Sequence, residues 1–400
     1  MILAVAALCV LLGLLAAENF CLWAAGRNLP WAHATFLFDP SARFSDLLSP
    51  LAMNRNLDPY FNAGIKPMFR GWISNYFPFF YQVLGALRPC GPPDIIRGFI
   101  ALSAGLYLLA SFLAGALYGE GIPGALAMAL FLAVLALAGY PFLVAVDRGN
   151  LETVVAALCF LSMLFLCKDK PVAGALFLAL AIAVKGYPAV LCLLFVKRGH
   201  WRCGMLAALV ALALSLEAFA CLSGGFLHNV VGLFNGLRGY LAFSGSGNAA
   251  AFASDPYDGL LVLGFWRPEF LPRVLPCIAT LWQAAKNFVV AGCLAYALLA
   301  RAPFHRCLLA ATLGMMLVPG LIADYKLLHL LPVLFFMAVE EEPWTLPDRV
   351  AFASLLALLV SKNYYFLGPD HSVSCLINPL LLLLLLGTLA LDQASWRMLR

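Results

Sequence analysis

The stretch 145–152 reads AVDRGNLE and sets Asp147, Arg148, Asn150 and Glu152 almost side by side. An apolar run occupies 122–146 before it, and another occupies 153–167 after it. A charge at the centre of a bilayer costs roughly 2.5–3.5 kcal/mol on insertion scales. Four polar groups in a row therefore lie at a membrane surface or line a wet cavity, and Gly149 lets the backbone turn there between two helices. The bland alternative is a hairpin turn that happens to be polar. Ionisable groups at membrane depth are functional by default, so we read the stretch as part of a site.

Composition agrees with a membrane setting. The chain has 400 residues, 64% of them hydrophobic and 11% charged, with a mean hydropathy of +0.93. Soluble domains carry about 25% charged residues. We read one all-α polytopic membrane domain over 1–400, embedded in a lipid bilayer. The net charge of +5 suits loops facing anionic lipid and gives no footprint for nucleic acid. The twelve cysteines fall mostly inside apolar runs, as at Cys159, Cys192 and Cys293, and show no zinc spacing. They read as small apolar residues, although a disulfide among Cys90, Cys277 and Cys375 stays open. Residues 1–24 are apolar with no basic residue before them. They read as a retained first span, with a signal cleaved near 24–26 as the alternative.

A span needs about 20 apolar residues. Apolar runs cover about 2–24, 95–118, 122–144, 151–167, 203–223, 276–299, 307–322, 326–339, 350–366 and 375–391. Residues 171–196 pose a problem as a single span, because basic clusters would then sit on both sides of the membrane, against the positive-inside rule. KGYP (185–188) interrupts that run. Pro188 removes a backbone donor and Gly186 loosens the helix, so the sequence predicts two short helices, 171–184 and 187–196, meeting at KGYP. About twelve membrane segments result. The basic stretches KDK (168–170), KRGHWR (197–202), RAPFHR (301–306) and WRMLR (396–400) then share the cytoplasmic side with EEEPWTLPDR (340–349). The opposite side receives the long loop 25–94, DRGN, KGYP, the loop 224–275, DYKLLH (324–329) and GPDHS (368–372).

Loop 25–94 holds Trp31, Trp72 and many Phe, and its SNYFPFFYQVLGAL (74–87) reads as an amphipathic interfacial helix. Loop 224–275 contains the flexible SGSGNAAAFASD (244–255) and Trp266, and reads as a mobile cover or acceptor-side loop, or else as a plain connector.

Five groups have candidate chemistry. Asp46, in FSDLLSP, is a carboxylate in apolar surroundings that can serve as a general base or simply cap a helix. Asp58 precedes Pro59 and reads as a turn former. Lys185 ends an apolar run and either snorkels or binds an anion such as a lipid phosphate. Lys326 and His329 stand three apart on one helical face beside Tyr325 and Asp324, although an isolated His is often a satisfied core residue. Asp147 reads as the ion-pair partner of its neighbour Arg148. No P-loop, dinucleotide fingerprint, HExxH or serine elbow is present. Cofactors are not indicated; outer-face aspartates can hold a divalent cation, but no paired-acid spacing demands one.

YPFLVAVDRGNLETVVAAL, followed by LALAIAVKGYPAVLCLLFVKRGHWR, resembles the central region of bacterial membrane glycosyltransferases of family 87, within the C-type glycosyltransferase superfamily. Arg148, Gly149, Asn150, Lys185 and Pro188 match its pattern residue for residue, and Asp46, Pro59, Tyr60 and YFPFFY (76–81) are similar to its upstream elements. The resemblance covers about 40–205, with a weaker likeness over Tyr325 to Pro332. The family's usual double proline appears only as Phe77-Pro78.

The resemblance implies a C-type bundle in a bacterial inner membrane, with its active site facing outside. It also implies a polyprenyl-phosphate sugar donor, often of mannose, and a glycolipid or glycan acceptor. Asp46 is then the base. Arg148, Lys185, Lys326 and His329 fall to the donor phosphate, and Asn150, Glu152, Tyr187 and Tyr325 to sugar or acceptor; no metal is assigned. A transporter or flippase for a lipid-linked or small solute, or a non-catalytic scaffold, stays as the competing reading.

Overall fold

The structure, a computed structural model, describes residues 43–54, 58–61, 76–245, 254, 271–319, 322–340, 342–360 and 373–392. The apolar run 2–24, Trp31, Trp72, residues 246–253, Trp266, GPDHS and the WRMLR tail lie outside the described residues. Among the described residues all regular elements are helical, with no strand. The chain forms two compact units, one of Pro40–Ala129 with Val144–Phe243, the other containing Leu130–Leu143 and Ser244–Arg400.

In chain order the helices of the first unit and its borders are α1 (Ser45–Met53), α2 (Pro78–Ala86), α3 (Pro92–Tyr118), α4 (Gly121–Leu137), α5 (Tyr140–Arg148), α6 (Glu152–Cys167) and α7 (Pro171–Val184). A 3-10 turn (Tyr187–Leu191), α8 (Cys192–Lys197), α9 (Trp201–Cys221) and α10 (Gly225–Gly245) follow.

α6 is the core. All its residues except Phe165 and Cys167 are buried, as expected for a helix that is apolar all round. α3 starts on Pro92 and Pro93, whose fixed φ suits a first turn. It buries Ile95, Phe99, Ser103, Tyr107 and Ser111, a stripe of every fourth residue. Ser103 and Thr153 share a hydroxyl hydrogen bond of 2.8 Å between α3 and α6. The opposite side of α3 exposes Leu102, Leu108, Leu109 and Phe112, a surface made for lipid. α7 comes close to α6 at Gly174, where a Cβ would stand 2.8 Å from the Ser162 carbonyl oxygen. α9 buries small residues, Gly204, Ala207, Ala211, Ser215 and Ala218, the pattern that lets membrane helices approach.

KGYP breaks the chain as its proline and glycine demand. α7 ends at Val184, Lys185 is extended, and the 3-10 turn leads into α8. A Cβ on Gly186 would lie 2.3 Å from the Phe77 ring, so Phe77-Pro78 is seated on this turn. At the other end of α7, Arg198 Nη2 lies 3.5 Å from Cys167 Sγ. The basic turns 168–170 and 198–200 therefore share one end of the unit, and KGYP occupies the other.

The second unit adds α11 (Leu271–Leu299), α12 (Phe304–Leu317), a 3-10 segment (Asp324–Leu330), α13 (Leu331–Val339), α14 (Leu346–Leu359) and α15 (Ser374–Ala390). A charged network ties its helix ends. His305 faces Glu340 at 2.6 Å and Asp348 at 3.3 Å, and Arg306 holds Asp348 at 2.6 Å and Asp392 at 2.9 Å. Thr345 and Asp348 form a capping box at the start of α14. Burial opposes charge on His305, but its hydrogen bonds to Asp348 and Glu340 outweigh that and raise its pKa. Burial likewise pushes the Asp348 carboxyl up, yet bonds from His305, Arg306 and Thr345 hold it well below the usual carboxylate range.

Three expectations change. The run 122–144 is not one straight span; α4 and α5 meet at a bend of 52°, and Gly139 permits it, since a Cβ there would sit 2.6 Å from the Leu135 carbonyl oxygen. The segment 224–275 is not a plain loop; it opens with α10, whose Leu227, Val231 and Phe234 are exposed along one side. Of SNYFPFFYQVLGAL, the described residues 76–87 pack one side into the unit, with Tyr76, Phe80, Tyr81 and Leu84 buried and Val83 and Leu87 exposed, and α2 lies against α7 and α9. By length and composition α3 and α9 can each cross a membrane, the bent pair α4–α5 can act as a third span, and several shorter apolar helices accompany them. Cys90, Cys277 and Cys375 form no disulfide with one another.

Candidate active site

The DRGN turn builds the site by docking against α1. Gly149 has φ +68, and a Cβ on it would meet Leu47 Cβ at 2.9 Å and Phe44 Cα at 3.0 Å. Glycine is thus required both for the left-handed turn and for the close approach. The Phe44 N–H donates to the Asp147 carbonyl at 2.7 Å. Phe44 itself is left-handed at φ 54, a conformation that bulky residues hold only under constraint. This docking brings Asp46, in the first turn of α1, to the end of α5.

Asp46 Oδ1 accepts from Arg148 Nη2 at 3.2 Å and Oδ2 from Asn150 Nδ2 at 2.7 Å. Ser45 Oγ adds a contact of 3.4 Å. Asn150 is the hub: its Oδ1 accepts the Glu152 N–H at 3.0 Å and Lys185 Nζ at 3.2 Å. Lys185 Nζ also donates to Glu152 Oε1 at 2.9 Å and stands 5.1 Å over the Tyr76 ring. Tyr187 Oη donates to the other Glu152 oxygen. Six of the residues expected from sequence, Asp46, Arg148, Asn150, Glu152, Lys185 and Tyr187, therefore form one hydrogen-bonded cluster.

Exposure within the cluster is graded. The Asp46 and Glu152 side chains are 6% and 0% exposed, but Arg148 and Lys185 are 21% and 15%. The carboxylates lie behind, and the cations form the reachable edge. A charge-neutral cluster with a cationic edge can receive an anion while its buried carboxylates stay paired.

Two pairings differ from expectation. Asp147 pairs with Arg43 at 3.1 Å, and Arg148 with Asp46 at 3.2 Å. Adjacent residues on a helix point in different directions, so Arg148 turns to Asp46 and Asp147 turns away. Asp58 stands in a turn as expected, but it also faces His228 at 3.1 Å. Arg43 escaped the sequence reading, and Tyr76 entered it only as the first residue of YFPFFY (76–81), with no role of its own.

Tyr325, Lys326 and His329 belong to the second unit. They lie on its 3-10 segment, with Lys326 and His329 buried. Asp324 anchors that segment, accepting from Tyr140 Oη at 2.9 Å, Asn378 Nδ2 at 3.1 Å and the Ser254 hydroxyl. Among the described residues no group of three or more His, Cys, Asp or Glu is placed to hold a metal ion.

The family model of glycosyltransferase family 87 matches residues 75–320, more than half of the chain. The chain belongs to this family. No curated protein and no solved structure gives a match. The family-87 match contains Arg148, Asn150, Glu152, Lys185 and Tyr187. It begins after Asp46 and ends before Tyr325. A glycosyltransferase with this many apolar helices is a membrane protein.

Proposed function

We propose that this glycosyltransferase moves a hexose, mannose or one of similar shape, from a polyprenyl-phosphate donor to a glycolipid or glycan acceptor, on the outer face of a bacterial inner membrane. The observation that supports it best is the cationic edge of Arg148 and Lys185 with paired carboxylates behind it. The leaving group of such a donor is an already ionised lipid phosphate. It needs cations to hold it and no general acid. Arg148 and Lys185 take that role. The acceptor oxygen attacks the anomeric carbon as the bond from that carbon to the phosphate oxygen breaks, and Asp46 takes the hydroxyl proton. An ionised carboxylate offers about four acceptor positions, so Asp46 retains capacity beyond its bonds to Arg148 and Asn150. Asn150 orients both Asp46 and Lys185, and Glu152 with Tyr187 fixes the Lys185 ammonium.

The test is direct. Purified protein in nanodiscs is given a polyprenyl-phosphate hexose with a labelled sugar, and release of polyprenyl phosphate is followed. Transfer of label to a glycan, or slow transfer to water, is expected. Intact donor moved across the bilayer of a proteoliposome, with no cleavage, would replace this reading by a flippase. Orientation is checked on α9: in a background stripped of exposed native cysteines, an impermeant thiol reagent outside the cell should label a cysteine at Ser223 and not one at Gly199. Labelling at Gly199 alone would invert the layout.

A further inference from the structure

We infer that Asp58, Phe61 and His228 form a subsite for a pyranose ring of the acceptor. This inference rests on the reading above that the acceptor carries sugar.

Two distant parts of the first unit meet there, residues 58–61 and the start of α10. His228 Nε2 and Asp58 Oδ1 are 3.1 Å apart, with the side chains 33% and 30% exposed. The Phe61 ring lies on the imidazole at a centroid distance of 4.0 Å and a tilt of 34°, and Phe61 is 41% exposed. Aromatic residues at a buried interface hide their faces; this one keeps much of its surface open beside a carboxylate and an imidazole.

The backbone is shaped to hold the three. Gly224, His228 and Gly232 recur every four residues and so share one side of the α10 entry. A Cβ on Gly224 would sit 2.3 Å from the His228 ring, and one on Gly232 would lie 2.4 Å from Tyr60 Cβ and 2.7 Å from the Phe61 ring. Residues 58–61 are thus seated in a notch that only glycine leaves open. Asn229 fixes the corner before α10. It is fully buried, and its amide nitrogen lies within 3.3 Å of the carbonyls of Phe219, Leu222, Ser223 and Gly225.

The chemistry matches a sugar ring. A pyranose offers a C–H face that packs on an aromatic ring and hydroxyls that donate and accept. Phe61 supplies the ring, Asp58 an acceptor, and His228 a second polar group oriented by Asp58. Position supports an acceptor ring over a donor ring. Tyr60 donates to the Tyr76 carbonyl at 2.8 Å and packs edge-on against Tyr81 at 5.4 Å, while the Tyr76 ring lies under Lys185. A wall of tyrosines therefore connects the subsite to the phosphate-binding edge without making it part of that edge. The exposed apolar side of α10, with Leu227, Val231 and Phe234, runs beside it. A sugar presented on a lipid and a soluble glycan share the chemistry, and experiment separates them.

Three variants, Phe61→Ala, Asp58→Asn and His228→Gln, are made in nanodiscs free of glycosyl detergent. Saturation-transfer NMR with a methyl hexopyranoside reads sugar binding without any donor, and a glycosyl diacylglycerol in the disc reads the lipid-borne form. Wild type is expected to show contact with one or both probes, which identifies the source, and Phe61→Ala to lose it. In turnover, the acceptor KM is expected to rise about tenfold or more in each variant, with donor affinity and kcat near wild type. A clasp that merely ties residues 58–61 to α10 would lower thermal stability and kcat together and leave KM in place; that result overturns the inference. So does equal sugar contact in wild type and Phe61→Ala, or none in either. If wild type cleaves no polyprenyl-phosphate donor, the donor reading has failed, and the NMR comparison still decides the subsite.

Discussion

Two charged networks are buried in this protein, and they are built differently. The His305–Arg306–Asp348 network lies at helix ends: Asp348 is a capping residue, held by Thr345, and its partners are next to one another in sequence. The Asp46–Arg148–Glu152–Lys185 network is gathered from three segments through a left-handed glycine and a strained phenylalanine. The first satisfies groups that any helix terminus leaves open. The second invests unusual backbone geometry to aim cations outward, a cost that stability alone does not explain. In the proposed reading, strained, aimed charge belongs to the site and capped charge to the frame.

Six substitutions sharpen or break that contrast. The largest effect should come from Asp46→Asn, which keeps shape but removes the proton acceptor: turnover should fall by about 10²–10⁴-fold with donor affinity retained. Asp147→Asn, which weakens the Arg43 pair, should lose far less. Near-normal turnover in folded Asp46→Asn would assign the base elsewhere. Next, Arg148→Ala and Lys185→Ala should each weaken donor binding by about ten- to a hundredfold, the worth of a charged hydrogen bond. Lys185→Ala should also destabilise, because it strands the Glu152 carboxylate. Donor affinity measured by titration should expose both, and unchanged affinity in the pair would remove the phosphate assignment.

In the frame, the effects should reverse. Asp348→Asn removes a partner from Arg306 and His305 and should lower stability by about 3 kcal/mol, as for a broken buried pair, while each folded molecule keeps its turnover. A collapse of turnover at unchanged melting temperature would erase the distinction between site and frame. The smallest effect is on pH. The His305 pKa is raised in the folded protein, so its contribution is complete below the ordinary value of about 6.5 and is lost as pH rises through the raised value. Asp348 is depressed, so its share persists above about pH 4 and fades only in stronger acid. Melting temperature should therefore decline gently from neutral toward alkaline pH, and His305→Gln should flatten that decline.

The sequence made the breaks legible and the pairings less so. KGYP and DRGN announced their turns because proline and glycine act locally. The helix over 225–245 was hidden because glycines and polar residues interrupt its hydropathy, although its apolar positions recur on one side. Arg43 could not be paired with Asp147 by inspection, since neighbours in sequence attract the eye and a helix turns them apart. The network at Asp348 did leave a trace, the Thr345-x-x-Asp348 spacing of a capping box. Asp58 and His228, 170 positions apart, left only the four-residue rhythm of Gly224, His228 and Gly232. Asp46 stood out as a carboxylate in apolar surroundings and the resemblance implied its role, but only the docking of Gly149 on Phe44 and Leu47 shows how it reaches Arg148.

The span between Asp46 and Arg148 has a bearing on how the protein is made. They are 102 positions apart, whereas Lys185 follows Glu152 by 33. At a synthesis rate of about 5–20 residues per second, Asp46 leaves the ribosome roughly 5–20 seconds before the arginine that neutralises it. The α6–α7 hairpin can close its own ion pair soon after it emerges. The first helix has to wait with an unmatched carboxylate until Arg148 arrives, and Lys185, made after Arg148, is the last charge to reach the cluster.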